Sequence, residues 1–357
     1  MHTACACTTA RDVSQCDTCG YVRVDVAVNG LMPPDAVADL IGAGRRLLLA
    51  GDETLLAGLP RGSWIGGTMS TFMVDGQIVT SCDRLFVTEL PPEATSIAIR
   101  SYDTETLPRI AAAAPANGFT VLLIPAFSPL HTAYAEGVFR FEGIFNRPLV
   151  GWITGVAPEE VGKRAPKVFD GTSGAVSDRL AVAAHVSLPS DLTARTHIAN
   201  PFRPGDGPVL GFEEEGFAAR RCTVDGQPMD FVRYIREHGI DPKLPLVADC
   251  FGTPVNVSIR AVDDAMGEVR FYAPVFPHLR YRFADPLAPA ELAGPPGGTV
   301  PAFACNCIKN TGHAPAIAVA GLAGPMTFGE IAYVLLNQTL VYLTVEPVAT
   351  ATASHAA

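Results

Sequence analysis

Short apolar runs alternate with helical patterns along the first half of the chain. Residues 22–28 alternate valine with Arg, Asp and Ala, which is the period-two pattern of a strand with one wetter face. Residues 119–124 and 149–154 are continuously apolar, as expected of strands that are covered on both faces. Residues 35–50 have a helical composition, and Asp35 is placed as an N-cap. This alternation predicts a layered α/β architecture with a mixed sheet.

The second half reads as predominantly β, with one convincing helix over residues 227–238. The apolar stripe of that helix has three- and four-residue spacings and consists of Phe231, Tyr234, Ile235 and His238. Gly239 supplies a stop signal. Strands are predicted over residues 256–261, 268–272, 300–308, 316–320 and 338–346. We therefore predict an α/β (α+β) fold of two layered domains with mixed β-sheets flanked by helices.

Proline and glycine near residues 157–174 predict a domain boundary there. The predicted division is a cysteine-rich N-terminal arm at 1–20, a first α/β domain at 21–165, a second at 166–347 and a disordered tail at 348–357. Residues 287–299, which are rich in Pro and Gly, are expected to form an exposed loop that serves as a lid.

Composition and charge narrow the classes of partner. Apolar residues make up 48% of the chain and charged residues 17%, which is enough to fill large cores. The formal net charge is −10 with no basic stripe, so we expect neither nucleic acid nor an anionic membrane surface as a partner. Residues 310–329 are uncharged but broken by Gly and Pro, which favours buried strands over a membrane helix. Without a secretory signal pattern, a cytoplasmic protein is expected.

Four ordered features resemble the C-terminal half of the FIST sensory domain. They are the turn at Thr223-Val-Asp-Gly-Gln-Pro228, an apolar strand ending in Cys305, the segment Gly329-Glu-Ile331 and a closing Asn337-Gln-Thr339 strand. In the first half, Trp64-Ile-Gly-Gly-Thr68 is similar to a family strand, with Gly67 where a cysteine often stands. The resemblance implies FIST N-like and FIST C-like domains that bind a small ligand, and some related domains bind haem. Because no kinase, cyclase or methyl-accepting segment fits the chain, a signalling protein partner is expected.

The candidate ligand-binding residues cluster near the C-terminus. They are Cys305, Cys307, His313, Glu330 and Asn337. Thiolate and imidazole groups are a sensible donor set for zinc, iron or haem, and positions 305 and 307 share one face of a strand. The alternative is that the two cysteines are inert core residues. Glu330 is either bonded to a ligand or satisfied by local donors, and Asn337 either binds ligand or bridges strands.

The N-terminal arm carries a second set of metal-ligand candidates. Cys5, Cys7, Cys16 and Cys19 place four soft ligands within fifteen residues, which suits a tetrahedral zinc or an iron–sulfur cluster. A loosely ordered tail that contains cysteines is the competing interpretation. Deleting residues 1–20 is expected to remove most bound metal if the arm is a metal site.

The catalytic alternatives are few. The chain has no phosphate-binding glycine loop, no Gly-x-Ser-x-Gly elbow and no metallohydrolase motif, so we predict a ligand-binding protein rather than an enzyme. The runner-up is a cysteine-dependent enzyme with Cys305 as nucleophile and His313 as base. His131 follows a buried strand directly, and loops at strand ends often carry sites, so it is a secondary candidate.

Overall fold

The computed structural model describes residues 27–250, 252–286, 294–295, 299–312 and 321–348. Over these residues strands far exceed helices, and the several mixed sheets confirm the predicted α/β (α+β) class. The four cysteines of the N-terminal arm, His313, most of the predicted lid and nearly all of the predicted tail lie outside the described residues. None of the described helices is long and apolar enough to cross a membrane.

The α-helices of the described residues are short. They are α1 (Pro34–Gly42), α2 (Glu53–Ala57), α3 (Pro129–Gly137) and α4 (Phe231–Glu237). The helix predicted over 35–50 is correct only in its first part, because the chain turns at Gly44, where φ is 75°, and continues as a buried strand. The helix predicted over 227–238 begins later than expected, since Asp230 caps it by accepting a hydrogen bond from the backbone N–H of Arg233. Burial and capping decided these two boundaries.

The strands are short and numerous. Those of the first half are β1 (Asn29–Met32), β2 (Leu47–Gly51), β3 (Trp64–Thr68), β4 (Thr71–Val74), β5 (Gln77–Thr80), β6 (Leu85–Glu89), β7 (Ser96–Tyr102), β8 (Gly118–Pro125), β9 (Leu149–Thr154), β10 (Val168–Asp170), β11 (Ala175–Ser177) and β12 (Ala181–Ser187). Those of the second half are β13 (Leu192–Ala199), β14 (Phe202–Pro204), β15 (Leu210–Gly211), β16 (Gly216–Ala219), β17 (Arg221–Val224), β18 (Gln227–Asp230), β19 (Leu246–Cys250), β20 (Thr253–Val257), β21 (Ile259–Asp263), β22 (Glu268–Val275), β23 (Tyr281–Pro286), β24 (Phe303–Cys307), β25 (Gly324–Thr327), β26 (Glu330–Ala332), β27 (Val334–Leu336) and β28 (Leu340–Pro347).

These strands form five sheets among the described residues. Their strand orders are β1-β6-β2-β3-β10-β11, β27-β26-β9-β8-β12-β7, β13-β28-β24-β25-β4-β5, β18-β17-β15-β23-β19-β20 with β14 beside β23, and β16-β22-β21. The pairs β2–β3, β8–β9 and β24–β25 are parallel, and the other pairs are antiparallel. Three of the five sheets are therefore mixed, as the sequence predicts, and the other two are antiparallel throughout.

Several sheets combine strands from both sides of the boundary predicted between residues 165 and 166. Glu330 on β26 pairs with Trp152 on β9, and Pro325 on β25 pairs with Phe72 on β4. The hydrophobic core also crosses the predicted boundary, because one large buried cluster contains residues from both halves of the chain. The predicted boundary does not separate self-contained sheets, and the C-terminal strands complete sheets begun by the N-terminal ones.

Strands β8 and β9 are buried along their whole length, as their apolar sequences predict, and they form the central parallel pair. Gly151 makes their close approach geometrically feasible: a Cβ there would lie 1.9 Å from the carbonyl oxygen of Leu122. Helix α3 follows β8 after three residues, and β26 lies along the other side of β9. The candidate sites lie around this pair of strands.

Candidate functional site

Glu330 is a fully buried carboxyl group at the start of strand β26. Its Oε1 lies 3.0 Å from the Thr327 hydroxyl, and its Oε2 accepts hydrogen bonds from the Thr339 backbone N–H at 3.1 Å and the Thr339 hydroxyl at 2.9 Å. Burial raises the pKa of Glu330 to about 8, although hydrogen bonds with Thr339, Thr327 and Cys307 act in the opposite direction. Of the two possibilities that the sequence left open for Glu330, a ligand or local donors, the structure shows the local donors.

The hydrogen bonds of Thr327 indicate which form of Glu330 the site holds. The Thr327 hydroxyl lies 3.2 Å from the backbone carbonyl of Asn306 and 3.0 Å from Glu330, but it carries a single hydrogen. A protonated Glu330 donates to Thr327, which then donates to Asn306, and every group is satisfied. The network thus fits a neutral carboxylic acid, in agreement with the raised pKa.

Two buried cysteines of strand β24, Cys305 and Cys307, lie beside Glu330, which is on strand β26. The Cys305 thiol donates to the carbonyl of Gly151 across 3.5 Å. Burial is the largest cause that raises the pKa of both thiols well above the ordinary value. Thiols in such surroundings stay protonated, which disfavours both a nucleophile and a thiolate ligand.

The structure thus brings together three of the five predicted ligand-binding residues, namely Cys305, Cys307 and Glu330. The Asn337 side chain bridges two segments instead: its amide N–H donates to the carbonyl of Leu336 at 3.0 Å, and its amide oxygen accepts from the Ser258 backbone N–H at 3.4 Å. The fifth residue, His313, lies outside the described part of the chain. Within the described residues no group of three or more His, Cys, Asp and Glu side chains is placed to hold a metal ion.

A cavity of about 650 Å³ lies elsewhere, between strands β13 and β20 and the turn that joins β26 to β27. We call it the Tyr333 cavity, and the residues of its lining that matter here are Phe145, Thr196, His197, Cys250, Tyr333 and Tyr342. His197 stacks on Tyr342 with ring centroids 4.6 Å apart and donates or accepts a 2.9 Å hydrogen bond with Thr344. The lining therefore combines aromatic faces with a few polar groups.

Tyr333 has an unusual backbone conformation. Its φ of 62° lies in the left-handed region, which bulky residues rarely adopt. Two backbone contacts hold it there: its N–H donates to the carbonyl of Leu149 at 3.0 Å, and its own carbonyl accepts a 2.7 Å hydrogen bond from the Tyr134 hydroxyl. Strained residues of this kind concentrate at functional sites and persist where the surrounding structure holds them.

The secondary candidate His131 lines a different cavity, of about 460 Å³, at the start of α3. We call this the His131 cavity. Neither it nor the Tyr333 cavity is lined by Cys305, Cys307, Glu330 or Asn337. The sequence predicted His131 in a loop after a buried strand, and the structure places it in the first turn of helix α3, which follows that strand. The residues around Tyr333 carried no motif that could have indicated a cavity.

Fold and cavities together define a mixed α+β protein with ligand-sized spaces at the junctions of its sheets. Residues 32–346 match the model of a family of unknown function (DUF6976), and the chain belongs to that family. No curated protein and no solved structure is similar enough to match it. The family description names no activity, so a functional conclusion has to come from the cavities themselves.

Proposed function

We propose that this protein binds a small molecule in the Tyr333 cavity and signals its presence to a protein partner. The observation that carries the proposal is the cavity itself. Its volume of about 650 Å³ falls within the range of roughly 300–1,000 Å³ that is usual for small-molecule sites, and its lining combines aromatic faces with polar groups. The resemblance to FIST sensory domains supports the same class of function.

The lining defines the ligand chemistry. The stacked rings of His197 and Tyr342 offer a flat apolar surface, and Phe145 and Tyr333 lie 5.9 Å apart between ring centroids. The Thr196 hydroxyl is buried and has no hydrogen-bond partner among the described residues. An aromatic molecule with one hydrogen-bonding group satisfies both features.

The buried cluster around Glu330 supports this site indirectly. Glu330 begins strand β26, and Tyr333 follows the last residue of that strand. By bonding to Thr327 and Thr339, Glu330 fixes the strand from which the strained turn projects. In this proposal Cys305, Cys307 and Glu330 position the turn rather than contact the ligand.

A signal requires that ligand binding favours one of two conformations. The turn at Tyr333 is the element suited to this, because it lines the cavity, holds a strained backbone and is bonded to helix α3 through Tyr134. A ligand that packs against Tyr333 therefore changes the environment of both the turn and the helix, which are the surfaces a partner would sense.

The test is a ligand-observed NMR screen of aromatic fragments against the full chain, followed by affinity measurements on two variants. Ala199→Trp places a large ring on a residue that lines the cavity, whereas Ala57→Trp makes the same change on an exposed residue of α2. We expect some fragments to bind the natural chain and Ala57→Trp alike, and to lose at least tenfold in affinity with Ala199→Trp. Hydrogen exchange should also slow at residues 331–336 on binding.

Two results would overturn the proposal. One is a screen in which every fragment that binds does so equally well to Ala199→Trp, provided that this variant melts cooperatively like the natural chain. The other is fragment binding in the cavity without any change of hydrogen exchange at the Tyr333 turn or in α3, which would leave a binding protein without a sensing element.

A further inference from the structure

The His131 cavity contains one buried polar atom that lacks a partner. His131 is only 7% exposed, and its Nε2 is buried without a hydrogen-bond partner among the described residues. Buried polar groups of native proteins are almost always paired with protein or water. His131 lines a cavity of about 460 Å³. Its Nε2 is covered by the surrounding protein, so a ligand atom in the cavity pairs with it once the covering side chains move aside.

The tautomer of His131 follows from its other nitrogen. The backbone N–H of Phe127 donates to Nδ1 across 3.3 Å, so Nδ1 presents its lone pair. Burial lowers the pKa of His131 to about 4, and the ring is neutral at neutral pH. A neutral imidazole whose Nδ1 accepts must carry its hydrogen on Nε2. The unpaired atom is therefore a donor, and the group that completes it is an acceptor.

The turn before α3 holds this donor in place before any ligand arrives. Phe127 has a φ of 61°, in the left-handed region. Ser128 locks the turn, because its hydroxyl donates to the carbonyl of Pro125 at 2.8 Å and accepts from the His131 backbone N–H at 3.1 Å. A donor fixed in this way loses little conformational freedom on binding, which favours affinity.

The two arginines of this cavity differ in whether a carboxylate pairs with them. The Arg260 guanidinium lies 5.5 Å from the centroid of the Phe127 ring and has no carboxylate within salt-bridge distance in the described part of the chain. Arg270, by contrast, is paired with Asp263 at 3.2 Å and Glu268 at 3.1 Å. Arg260 is therefore the cation available to a ligand. Glu136 also lines the cavity, and its negative charge would repel an anion.

Aromatic side chains form part of the cavity wall. Phe217 lies edge-on to the His131 ring with centroids 6.2 Å apart, and Phe271 and Tyr272 also line the cavity. We propose that the His131 cavity binds a small aromatic carboxylate, whose oxygen accepts the hydrogen of His131 Nε2 beside Arg260 and whose ring packs on Phe217. This site is separate from the Tyr333 cavity and does not depend on the function proposed for it.

The experiment uses calorimetric titration of the full chain with three probes: benzoate, phenylacetate and 1-naphthoate. Each probe is compared with the corresponding alcohol, which keeps the ring without the charge, and inorganic phosphate supplies charge without a ring. We expect at least one carboxylate to bind tenfold or more tightly than its alcohol and than phosphate. Long-range ¹H–¹⁵N NMR should show the Nε2–H tautomer of His131, and its signal should shift on binding.

Variants locate the binding. Arg260→Gln, on an exposed residue, and His131→Phe should each weaken the carboxylate at least tenfold, and Glu136→Gln should strengthen it several-fold. Arg179→Gln removes the same charge from an exposed arginine outside the cavity lining and should change nothing, as should Ala199→Trp in the other cavity. Absence of carboxylate binding, equal binding of the alcohols or of phosphate, or unchanged affinity in Arg260→Gln would overturn the inference.

Discussion

The hydroxyl of Tyr134 donates a 2.7 Å hydrogen bond to the backbone carbonyl of Tyr333, and this bond joins residues 199 positions apart in the chain. Tyr134 lies on α3, one turn after His131. The same short helix thus contacts the strained turn of the Tyr333 cavity and supplies the unpaired nitrogen of the His131 cavity. Helix α3 is the structural connection between the two candidate sites.

Removing this hydrogen bond should loosen the Tyr333 turn. Tyr134→Phe leaves the partly buried carbonyl of Tyr333 without its donor, and we expect a loss of about 1–2 kcal/mol in the free energy of unfolding, measured with urea. Tyr272→Phe is the matched control, because its hydroxyl makes no hydrogen bond among the described residues, and it should stay within about 0.5 kcal/mol of the natural chain. Equal effects of the two variants would contradict a special role for the Tyr134 bond.

Stability should fall as pH rises because of Glu330. Its pKa is raised from the ordinary 4.5 to about 8, so between these values the folded state binds one proton that the unfolded state has released. The free energy of unfolding then decreases with pH, by at most about 1.4 kcal/mol per pH unit, and the contribution levels off above about pH 8. Below pH 4.5 both states are protonated and the contribution is fully retained.

Glu330→Gln isolates that contribution. A glutamine amide can donate to Thr327 and accept from Thr339, as the protonated acid does, but it does not titrate. The difference in unfolding free energy between Glu330→Gln and the natural chain should therefore shift in favour of the variant between pH 5.5 and pH 8.5. Parallel pH profiles of the two proteins would show that Glu330 does not titrate in this range.

The buried thiols should be unreactive in the folded protein. Cys305 and Cys307 are buried with strongly raised pKa values, whereas Cys82 is exposed. Alkylation by iodoacetamide at pH 8, located by peptide mass spectrometry, should modify Cys82 within minutes and the two core thiols only in denaturant. Rapid modification of Cys305 in the folded protein would instead revive the cysteine-dependent enzyme.

Gly67 should not tolerate a side chain. A Cβ at this position would lie 2.4 Å from Thr154 Cγ2 and 3.3 Å from Trp152 Nε1, in a buried strand. We expect Gly67→Ala to cost about 1–3 kcal/mol in urea unfolding because the core must shift. Gly42→Ala, at the open end of α1, should be neutral or stabilise by up to about 1 kcal/mol. A well-tolerated Gly67→Ala would mean that Thr154 and Trp152 repack easily.

The Gly67 contacts also bear on the resemblance to FIST domains. The position at which that family often has a cysteine is filled in this chain by the packing of Trp152 and Thr154 against the glycine. A cysteine there would require the side chains of Thr154 and Trp152 to shift. The N-terminal half of this protein therefore uses that space for core packing.

The sequence by itself determined the features that depend on neighbours along the chain. Continuous apolar runs identified β8 and β9 as buried strands, because burial on both faces leaves no polar positions. The same reasoning placed His131 shortly after the buried strand β8, although it lies in helix α3 rather than in the expected loop. Local patterns failed where tertiary burial competed with them, as at residues 47–50, which were predicted to end a helix but belong to the buried strand β2.

Only the tertiary structure decided the chemistry of the sites. Whether Glu330 is charged depends on Thr327, Thr339 and the burial supplied by several sheets. Whether Tyr333 can hold its left-handed backbone depends on Tyr134, which is remote in sequence. A pKa, a strained φ and an unpaired ring nitrogen all result from atoms brought together by distant segments, so no local pattern of residues can encode them.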